Sequence, residues 1–300
     1  MTGYERVLDE MGRRDVDVLL LGREPNARFV SGAARLFLAG ERAFAPGCVV
    51  VRSTAAVHLL SVGDAGIPRS VARENLFPIS WNPATLAGHI VAMPGVAGAR
   101  RVGVDGLTPL FEQIVDGCFP GAELVDGEAL LRDVRRVKTS EDLTGIRGAV
   151  AVAARVMDVA RRAAHTGAEQ REIVAVAMEA MAHEGVTTAA FEPVIARDGD
   201  VTMIDVGVLR DGWEGGLART EPGAHQPPAQ AGAIARCRAG ARVRTVAPGG
   251  VVHGVGCGYE VLASDDELVP GMVLSLATGA VRDLVLVRDG PPEVLTTTSY

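Results

Sequence analysis

The amino-acid sequence predicts an α/β protein of two domains, in which an N-terminal α/β domain precedes an α+β domain whose helices cover an antiparallel sheet. Its 300 residues correspond to about two domains of ordinary size. Helical and strand patterns alternate through the first half, whereas the second half opens with two long helical patterns and continues with hairpins. The change lies near residue 133, so we predict domains at residues 1–132 and 133–300.

The first half alternates segments typical of helices and strands, as expected for an α/β domain. An amphipathic helix is predicted for Tyr4–Arg13, and the apolar run Val16–Gly22 predicts a buried strand. The remaining predicted elements are strands at 47–52 and 56–62, a helix near 83–92, a strand at 101–104 and a helix near 108–116.

The second half begins with a helix whose start and core face are visible in the sequence. Thr139 or Ser140 provides the N-cap, and the acidic residues that follow suit the positive end of the helix dipole. Apolar residues then recur at spacings of three and four, which indicates a face packed on a core. A second helix is predicted for Ala168–Glu184, closed by Gly185.

A hairpin follows these helices. Its strands, VTMIDVGVL and WEGGLART, flank the dipeptide Asp211-Gly212, which is a strong signal for a two-residue turn. This turn predicts a register in which Arg210 faces Trp213, Gly207 faces Gly216 and Asp205 faces Ala218. Asp205 and position 216 are then diagonal neighbours on one face of the sheet, roughly 7–8 Å apart.

Several fragments along the chain form a recognisable set. They are IDVG (204–207), ART (218–220), HGVGCGYE (253–260), and PGMVLSLATGA running into RDLVLVRDG (270–290); in the first half, DVLLLG is followed by Asn26 and FVSG. Together they resemble the creatinase/aminopeptidase P/methionine aminopeptidase family of pita-bread metallopeptidases. The resemblance covers nearly the whole chain. It implies a creatinase-type N-terminal domain, a shortened pita-bread domain, and a homodimer in which one chain's N-terminal domain borders the other chain's cleft.

The departures from the family pattern fall on the positions that hold two metal ions in its members. By this resemblance, Asp205 and His253 match two of five metal-binding positions. The other carboxylate positions fall on Gly216, Ala277 and Arg282. A further histidine of the family has no counterpart, because FEPVIARDGD runs almost directly into VTMIDVG.

The charges at these positions indicate a site that works without metal. Asp205 contributes one negative charge and Arg282 one positive charge, so the pocket is near neutral without divalent ions, and zinc or manganese normally needs three or four protein ligands. We therefore predict no metal and no cofactor. An alternative is that Asp205 and Arg282 form a buried ion pair that only replaces the metal's role in the fold.

The remaining polar residues near this cleft define a candidate site. His253 next to carboxylates can act as a general acid or base, and a guanidinium group can hold a substrate carboxylate. We predict as catalytic residues His253, Asp205 and Glu260, and as substrate-binding residues Arg282, Tyr259 and Cys257. Glu260 is expected at the rim of the site. Asp283 is a weaker candidate because adjacent strand residues point to opposite faces.

Three hypotheses about function follow. The first is a metal-independent enzyme that acts on a small polar molecule as a lyase, isomerase or C–N bond hydrolase. Creatinase is a metal-free precedent in the family, but its catalytic histidine lies in the loop that is missing here. The second is a non-catalytic pseudo-peptidase that serves as a binding or assembly module. The third is an Xaa-Pro aminopeptidase-like metallopeptidase.

The amino-acid composition indicates which binding partners and which cellular compartment to expect. The net charge of −7 disfavours nucleic-acid binding, and the longest apolar runs have strand length, so no membrane span is predicted. The N-terminal segment lacks the apolar core of a signal peptide. Four scattered cysteines without a C-x-x-C motif suit a reducing cytoplasm. We expect a cytoplasmic homodimer that binds a small molecule.

Overall fold

The computed structural model describes residues 2–33, 46–61, 63–80, 82–106, 108–223 and 226–296. It divides into two compact units, residues 1–135 and 136–300, three residues beyond the predicted boundary. No helix in these ranges is long and apolar enough to cross a membrane.

The first unit is an α/β domain around a mixed sheet. Its helices are α1 (Gly3–Arg13), α2 (Glu24–Ser31), α3 (Pro83–Val91), α4 (Pro109–Cys118) and α5 (Gly127–Arg136). Its strands are β1 (Val18–Leu21), β2 (Cys48–Val51), β3 (Ala56–Leu60), β4 (Leu76–Phe77), β5 (Arg101–Val104) and β6 (Glu123–Asp126). The sheet order is β4-β3-β2-β1-β5-β6, with antiparallel pairing of β2 to β1 and β3 and parallel pairing elsewhere.

The apolar runs that predicted strands are buried on both faces of this sheet. Leu19 and Leu21 of β1 belong to one core cluster, and Val18 and Leu20 belong to a second cluster on the other face. Burial on both faces explains why such strands lack alternation. The predicted helices and strands of this half are present, although residue 62, the end of one predicted strand, lies outside the described residues. Helices α2 and α5 and strands β4 and β6 were not predicted.

The second unit is one curved antiparallel sheet with helices packed on it. Its helices are α6 (Ser140–His165), α7 (Gln170–His183), α8 (Pro228–Arg236) and α9 (Val243–Val246). Its strands are β7 (Val194–Asp198), β8 (Val201–Arg210), β9 (Trp213–Glu221), β10 (Val251–Gly256), β11 (Gly258–Glu260), β12 (Val273–Thr278), β13 (Val281–Leu286) and β14 (Glu293–Val294). The sheet order is β11-β10-β12-β13-β9-β8-β7, and β14 pairs with β13.

Helix α6 begins where its capping residues predict. The Thr139 hydroxyl accepts a hydrogen bond from the Asp142 backbone, and the Asp142 carboxylate accepts one from the Thr139 backbone, which satisfies two otherwise unpaired N–H groups. The apolar face of α6 packs with α7 against β8 and β9, including Ile204, Val206 and Leu217. These contacts fix the sheet that carries Asp205.

The β8–β9 hairpin has the predicted register. Arg210 pairs with Trp213, Gly207 with Gly216 and Asp205 with Ala218. The turn residues Asp211 and Gly212 have φ values of 51° and 85°, the two positive values that a tight hairpin turn requires and that Asp-Gly tolerates. Local turn chemistry thus sets which side chains share a face with Asp205.

Candidate functional site

Asp205 and Arg282 form an ion pair at the centre of the sheet. Both residues flank Ala218, because β9 pairs with β8 on one side and β13 on the other. Nε of Arg282 lies 3.1 Å from Oδ1 and 3.3 Å from Oδ2 of Asp205. Nη2 of Arg282 also donates a hydrogen bond to the Val206 carbonyl at 3.1 Å. Hydrogen bonds to Asp205 and Val206 therefore fix the position of the guanidinium group without a ligand.

Two glycines make room for this arrangement. A β-carbon on Gly216 would lie 2.8 Å from Nη2 of Arg282, and one on Gly207 would lie 2.3 Å from the Phe191 ring. The Phe191 ring in turn packs on the Arg282 guanidinium, 4.8 Å from carbon to ring centroid. The guanidinium thus occupies the space beside position 216, where the family pattern has a carboxylate.

His253 lies on β10, opposite Ser275 of β12. Its ring stacks on the Tyr259 ring at a centroid distance of 4.3 Å, and its Nδ1 is 3.0 Å from the Gly254 carbonyl. Because a carbonyl can only accept, this contact favours the tautomer with the proton on Nδ1 and the lone pair on Nε2. Burial lowers the pKa of His253, and the positive charge of Arg282 acts in the same direction.

Glu260 does not lie at the rim of the site, where the sequence interpretation expected it, but is buried. Its Oε2 accepts a hydrogen bond from Nζ of Lys138 at 2.6 Å, and both side chains are at most 5% exposed. Lys138 is the chain's single lysine. The reason for the difference is this long-range ion pair, in which each charge offsets the cost of burying the other.

The other predicted residues take different places. Tyr259 is 60% exposed, whereas Cys257 is buried, and no disulfide joins the cysteines in the described ranges. Nε and Nη2 of Arg282 are already bound to Asp205 and Val206, so the bidentate edge predicted to grip a substrate is occupied. Asp283 points to the other face as expected, where it is fully buried and accepts a 2.7 Å hydrogen bond from Arg219.

Glu214 is a candidate that the sequence interpretation missed. Glu214 lies on β9, opposite Leu209 of β8. Because side chains alternate along a strand, Glu214 shares a face of the sheet with Gly216, Ala218 and Asp205. Only 4% of it is exposed. Burial raises its pKa to about 7, the charges of Glu260 and Asp205 act in the same direction, and Arg282 opposes them. The same alternation that placed Asp205 could have found it.

A dinuclear metal centre, which the fold family implies, does not fit the side chains present. The guanidinium of Arg282 fills the space between Asp205 and Gly216. Within the described ranges, no group of three or more histidine, cysteine, aspartate or glutamate side chains is arranged to hold a metal ion. Five charged residues instead form a central cluster, which comprises Asp205, Glu214, Glu260, Lys138 and Arg282.

Comparison with known proteins agrees with this architecture. Residues 4–137 match the family described as the creatinase/prolidase N-terminal domain. The prolidase from Pyrococcus horikoshii OT3 is similar over 99% of this chain and 98% of its own, with a TM-score of 0.76 and 16% identity. A variant of Escherichia coli aminopeptidase P is similar over 99% of this chain and 95% of its own, with a TM-score of 0.70 and 14% identity.

The prolidase from Pyrococcus furiosus covers 99% of both chains at a TM-score of 0.75 and 17% identity. No match was found among curated protein sequences. At these identities the structural similarity establishes the fold. Residues 4–137 thus match the creatinase/prolidase N-terminal domain, and the chain as a whole has the pita-bread fold that these prolidases and aminopeptidase P share.

Proposed function

We propose that this protein is a metal-independent enzyme that acts on a small polar molecule beside His253, as a lyase, isomerase or C–N bond hydrolase. One observation carries the proposal. Arg282 places a fixed positive charge against Asp205 in the space next to Gly216. A guanidinium group stays protonated at physiological pH. A metal cation at this position would therefore be repelled by the positive charge of Arg282, and its space is already filled.

His253 supplies the proton chemistry in this proposal. Its lowered pKa keeps the imidazole neutral near pH 7, and its Nδ1 contact with Gly254 leaves Nε2 as the basic atom. A neutral imidazole can remove a proton from a C–H, N–H or water O–H bond of a bound ligand. The exposed ring of Tyr259, stacked on His253, supplies the contact surface for that ligand, and Cys257 lies two residues before it.

Ligand binding can test the proposal before any reaction is known. Small amino acids, amides, hydroxy acids and ureides are added singly to the wild-type protein, and the thermal midpoint is measured. Ligands that raise the midpoint are then assayed for turnover with wild type, His253→Ala and the exposed control His183→Ala. The proposal expects turnover by wild type and the control, and none by His253→Ala. Equal turnover by all three proteins contradicts it.

A non-catalytic binding or assembly module is the second candidate. It is favoured by the internal pairing of the central cluster, because Asp205 binds Arg282 and Glu260 binds Lys138, which leaves these charges satisfied without a ligand. A protein that captures a macromolecule but converts no small molecule supports this candidate. The third candidate, a metallopeptidase, requires hydrolysis of Xaa-Pro peptides that depends on added Mn²⁺ or Co²⁺.

The proposal includes a cytoplasmic homodimer. The resemblance carries the dimer, and the cysteines, none of which forms a disulfide in the described ranges, support a reducing compartment. Light scattering at micromolar concentration measures the mass in solution. A monomeric mass contradicts the dimer without bearing on the chemistry of the site.

A further inference from the structure

We propose that the site at His253 binds a molecule whose polar reacting group is attached to an apolar group, and that Val251, Tyr259 and Val261 contact the apolar part. The inference rests on the proposed function and narrows its substrate class. It is drawn from two features of the sheet around His253, namely which side chains are accessible there and which are buried.

The accessible side chains around His253 are apolar. Val251, Tyr259 and Val261 are 61%, 60% and 58% exposed, which makes them the three most exposed large apolar side chains in the described part of the chain. Single apolar residues on a surface are ordinary, but a group of them in one place marks a binding surface. All three belong to one short segment, residues 251–261, and we call them the apolar collar.

The strands gather the apolar collar around the imidazole. Val251 is two residues before His253 on β10, so both side chains lie on the same face of the sheet. The ring of Tyr259 on β11 stacks on His253 at a centroid distance of 4.3 Å. The β10–β11 register, continued by one residue, sets Val261 opposite His253. The collar therefore approaches the imidazole from both strands.

Ala277 extends this apolar surface towards the central ion pair. It pairs with Val251 on one side and with Arg282 on the other, and it is partly exposed. Its methyl group adds no polar atom to the surface between them. A ligand on His253 therefore meets hydrocarbon along β10, β11 and β12.

The charged groups of the site offer a ligand much less contact. Glu260 and Arg282 are each 5% exposed, and they are bound to Lys138 and Asp205. A wholly polar ligand would lose its hydrogen bonds to water on this surface and regain few of them. A ligand with an apolar group instead removes its own apolar surface and that of the collar from water, which favours binding.

His253 supplies the polar contact of the same site. Its Nδ1 lies 3.0 Å from the Gly254 carbonyl, so Nε2 is the atom that meets the polar group of the ligand. Ligand sites in general combine an apolar lining with a few polar groups that fix orientation. The substrate class that fits is an amide, ester or hydroxy compound with an apolar group next to the reacting bond.

A homologous series of ligands tests the inference before any reaction is known. The straight-chain primary amides from acetamide to hexanamide have the same polar group and differ by one methylene each. Their dissociation constants for wild type are measured from the shift of the His253 Hε1 resonance, which is identified by its loss in His253→Asn. We expect each methylene that reaches the collar to tighten binding by up to about fourfold. Equal binding by all members, or binding by none, overturns the inference.

Variants of the collar locate the apolar contact. Val251→Ser/Val261→Ser removes the methyl groups of two exposed side chains, and it should reduce the gain per methylene to less than twofold. Val201→Ser is the matched control, because Val201 is an exposed valine of β8 on the same sheet and outside the collar. The control should bind the series as wild type does. A full gain per methylene in the double variant overturns the inference.

The outcomes for the inference and for the proposed function are distinguishable. Tighter binding of the longer amides, without turnover of any apolar ligand by wild type, contradicts the enzyme and leaves the collar as a binding site. Turnover of a ligand that lacks an apolar group, without any effect of chain length, supports the enzyme and overturns the inference. If a second copy of the chain covers the collar instead, no amide binds and the double variant has a lower mass by light scattering than wild type. That result also overturns the inference.

Discussion

Gly216 and Arg282 are in mutually dependent contact. Nη2 of Arg282 would lie 2.8 Å from a β-carbon at position 216, which is closer than two such atoms can approach. A side chain at position 216 would therefore displace the Arg282 guanidinium from its hydrogen bonds to Asp205 and the Val206 carbonyl. Glycine at position 216 and arginine at position 282, two positions where the family pattern has carboxylates, are thus coupled through this contact.

Gly216→Ala should destabilise the pita-bread domain by about 1–3 kcal/mol, the usual range for an overpacked core position. The added methyl group meets both Arg282 and the Val206 carbonyl, 2.9 Å away, and the backbone carbonyl cannot swing aside. The free energy of unfolding in urea measures the effect. Gly290→Ala is the matched control, because nothing lies within 4 Å of its β-carbon.

The same substitution should be less harmful when Arg282 is shortened. In a double-mutant cycle, Gly216→Ala and Arg282→Ala should be non-additive because each removes part of the other's effect. Additive losses would show that Arg282 does not occupy the space beside Gly216.

Removing one partner of the Asp205–Arg282 ion pair should lower the free energy of unfolding more than removing both partners. Arg282→Met leaves Asp205 in a cluster that already contains Glu214 and Glu260, and an uncompensated buried charge typically costs about 3–5 kcal/mol. Asp205 is 24% exposed, so we expect a loss near 3 kcal/mol. The double variant Asp205→Asn/Arg282→Met should recover part of the loss in urea unfolding. An undiminished deficit would argue against pairing as the cause.

The parts of the site that sequence predicted are those fixed by local chemistry. A two-residue turn at Asp211-Gly212 fixes the register of the two strands. The residues that pair with Asp205 and Gly207 could therefore be predicted from their distance to the turn. The cap at Thr139 and the helix after it are local for the same reason. The segment of α2 around Asn26 carries no comparable pattern, and its helix was missed.

The parts that were missed depend on contacts between distant segments. Lys138 and Glu260 are 122 residues apart, and no spacing rule relates a residue before α6 to one on β11. Glu260 was therefore expected at the rim. Glu214 is different, because alternation along β9 places it on the face of Asp205. The family pattern marks position 216, two residues further along the strand, and gives no signal at position 214.

The single lysine should resist chemical modification in the native protein. The Lys138 side chain is 2% exposed and is bound to Glu260 at 2.6 Å, so an amine-reactive ester has little access to Nζ. Mass spectrometry of the peptide that contains Lys138 should show little labelling in buffer and full labelling in urea. Glu260→Gln should increase native labelling by loosening the pair. Rapid native labelling of wild type would contradict the buried ion pair.

Purified wild-type protein should contain no stoichiometric divalent metal, and rebuilding the carboxylates should restore metal binding. In the triple variant Gly216→Asp/Ala277→Glu/Arg282→Glu, three carboxylates join Asp205 and His253, and the guanidinium is gone. A ligand that binds only the folded state raises its stability, so Mn²⁺ should raise the thermal midpoint of the triple variant and not that of wild type. Elemental analysis that finds one tightly held metal ion per wild-type chain would favour a metallopeptidase.

The last prediction concerns the proton on His253. Burial, together with Arg282, lowers its pKa from the ordinary value of 6.5, so the neutral ring is favoured in the folded protein. Below pH 6.5 the unfolded chain binds a proton that the folded chain resists, and stability falls as pH decreases. Wild type should therefore lose stability between pH 7 and pH 5 more steeply than His253→Asn, whose amide can keep the Gly254 contact. The Hε1 resonance that His253→Asn removes should titrate below pH 6.5, and turnover should decline over the same range. A midpoint above 6.5 would remove the basis for His253 as a neutral base at physiological pH.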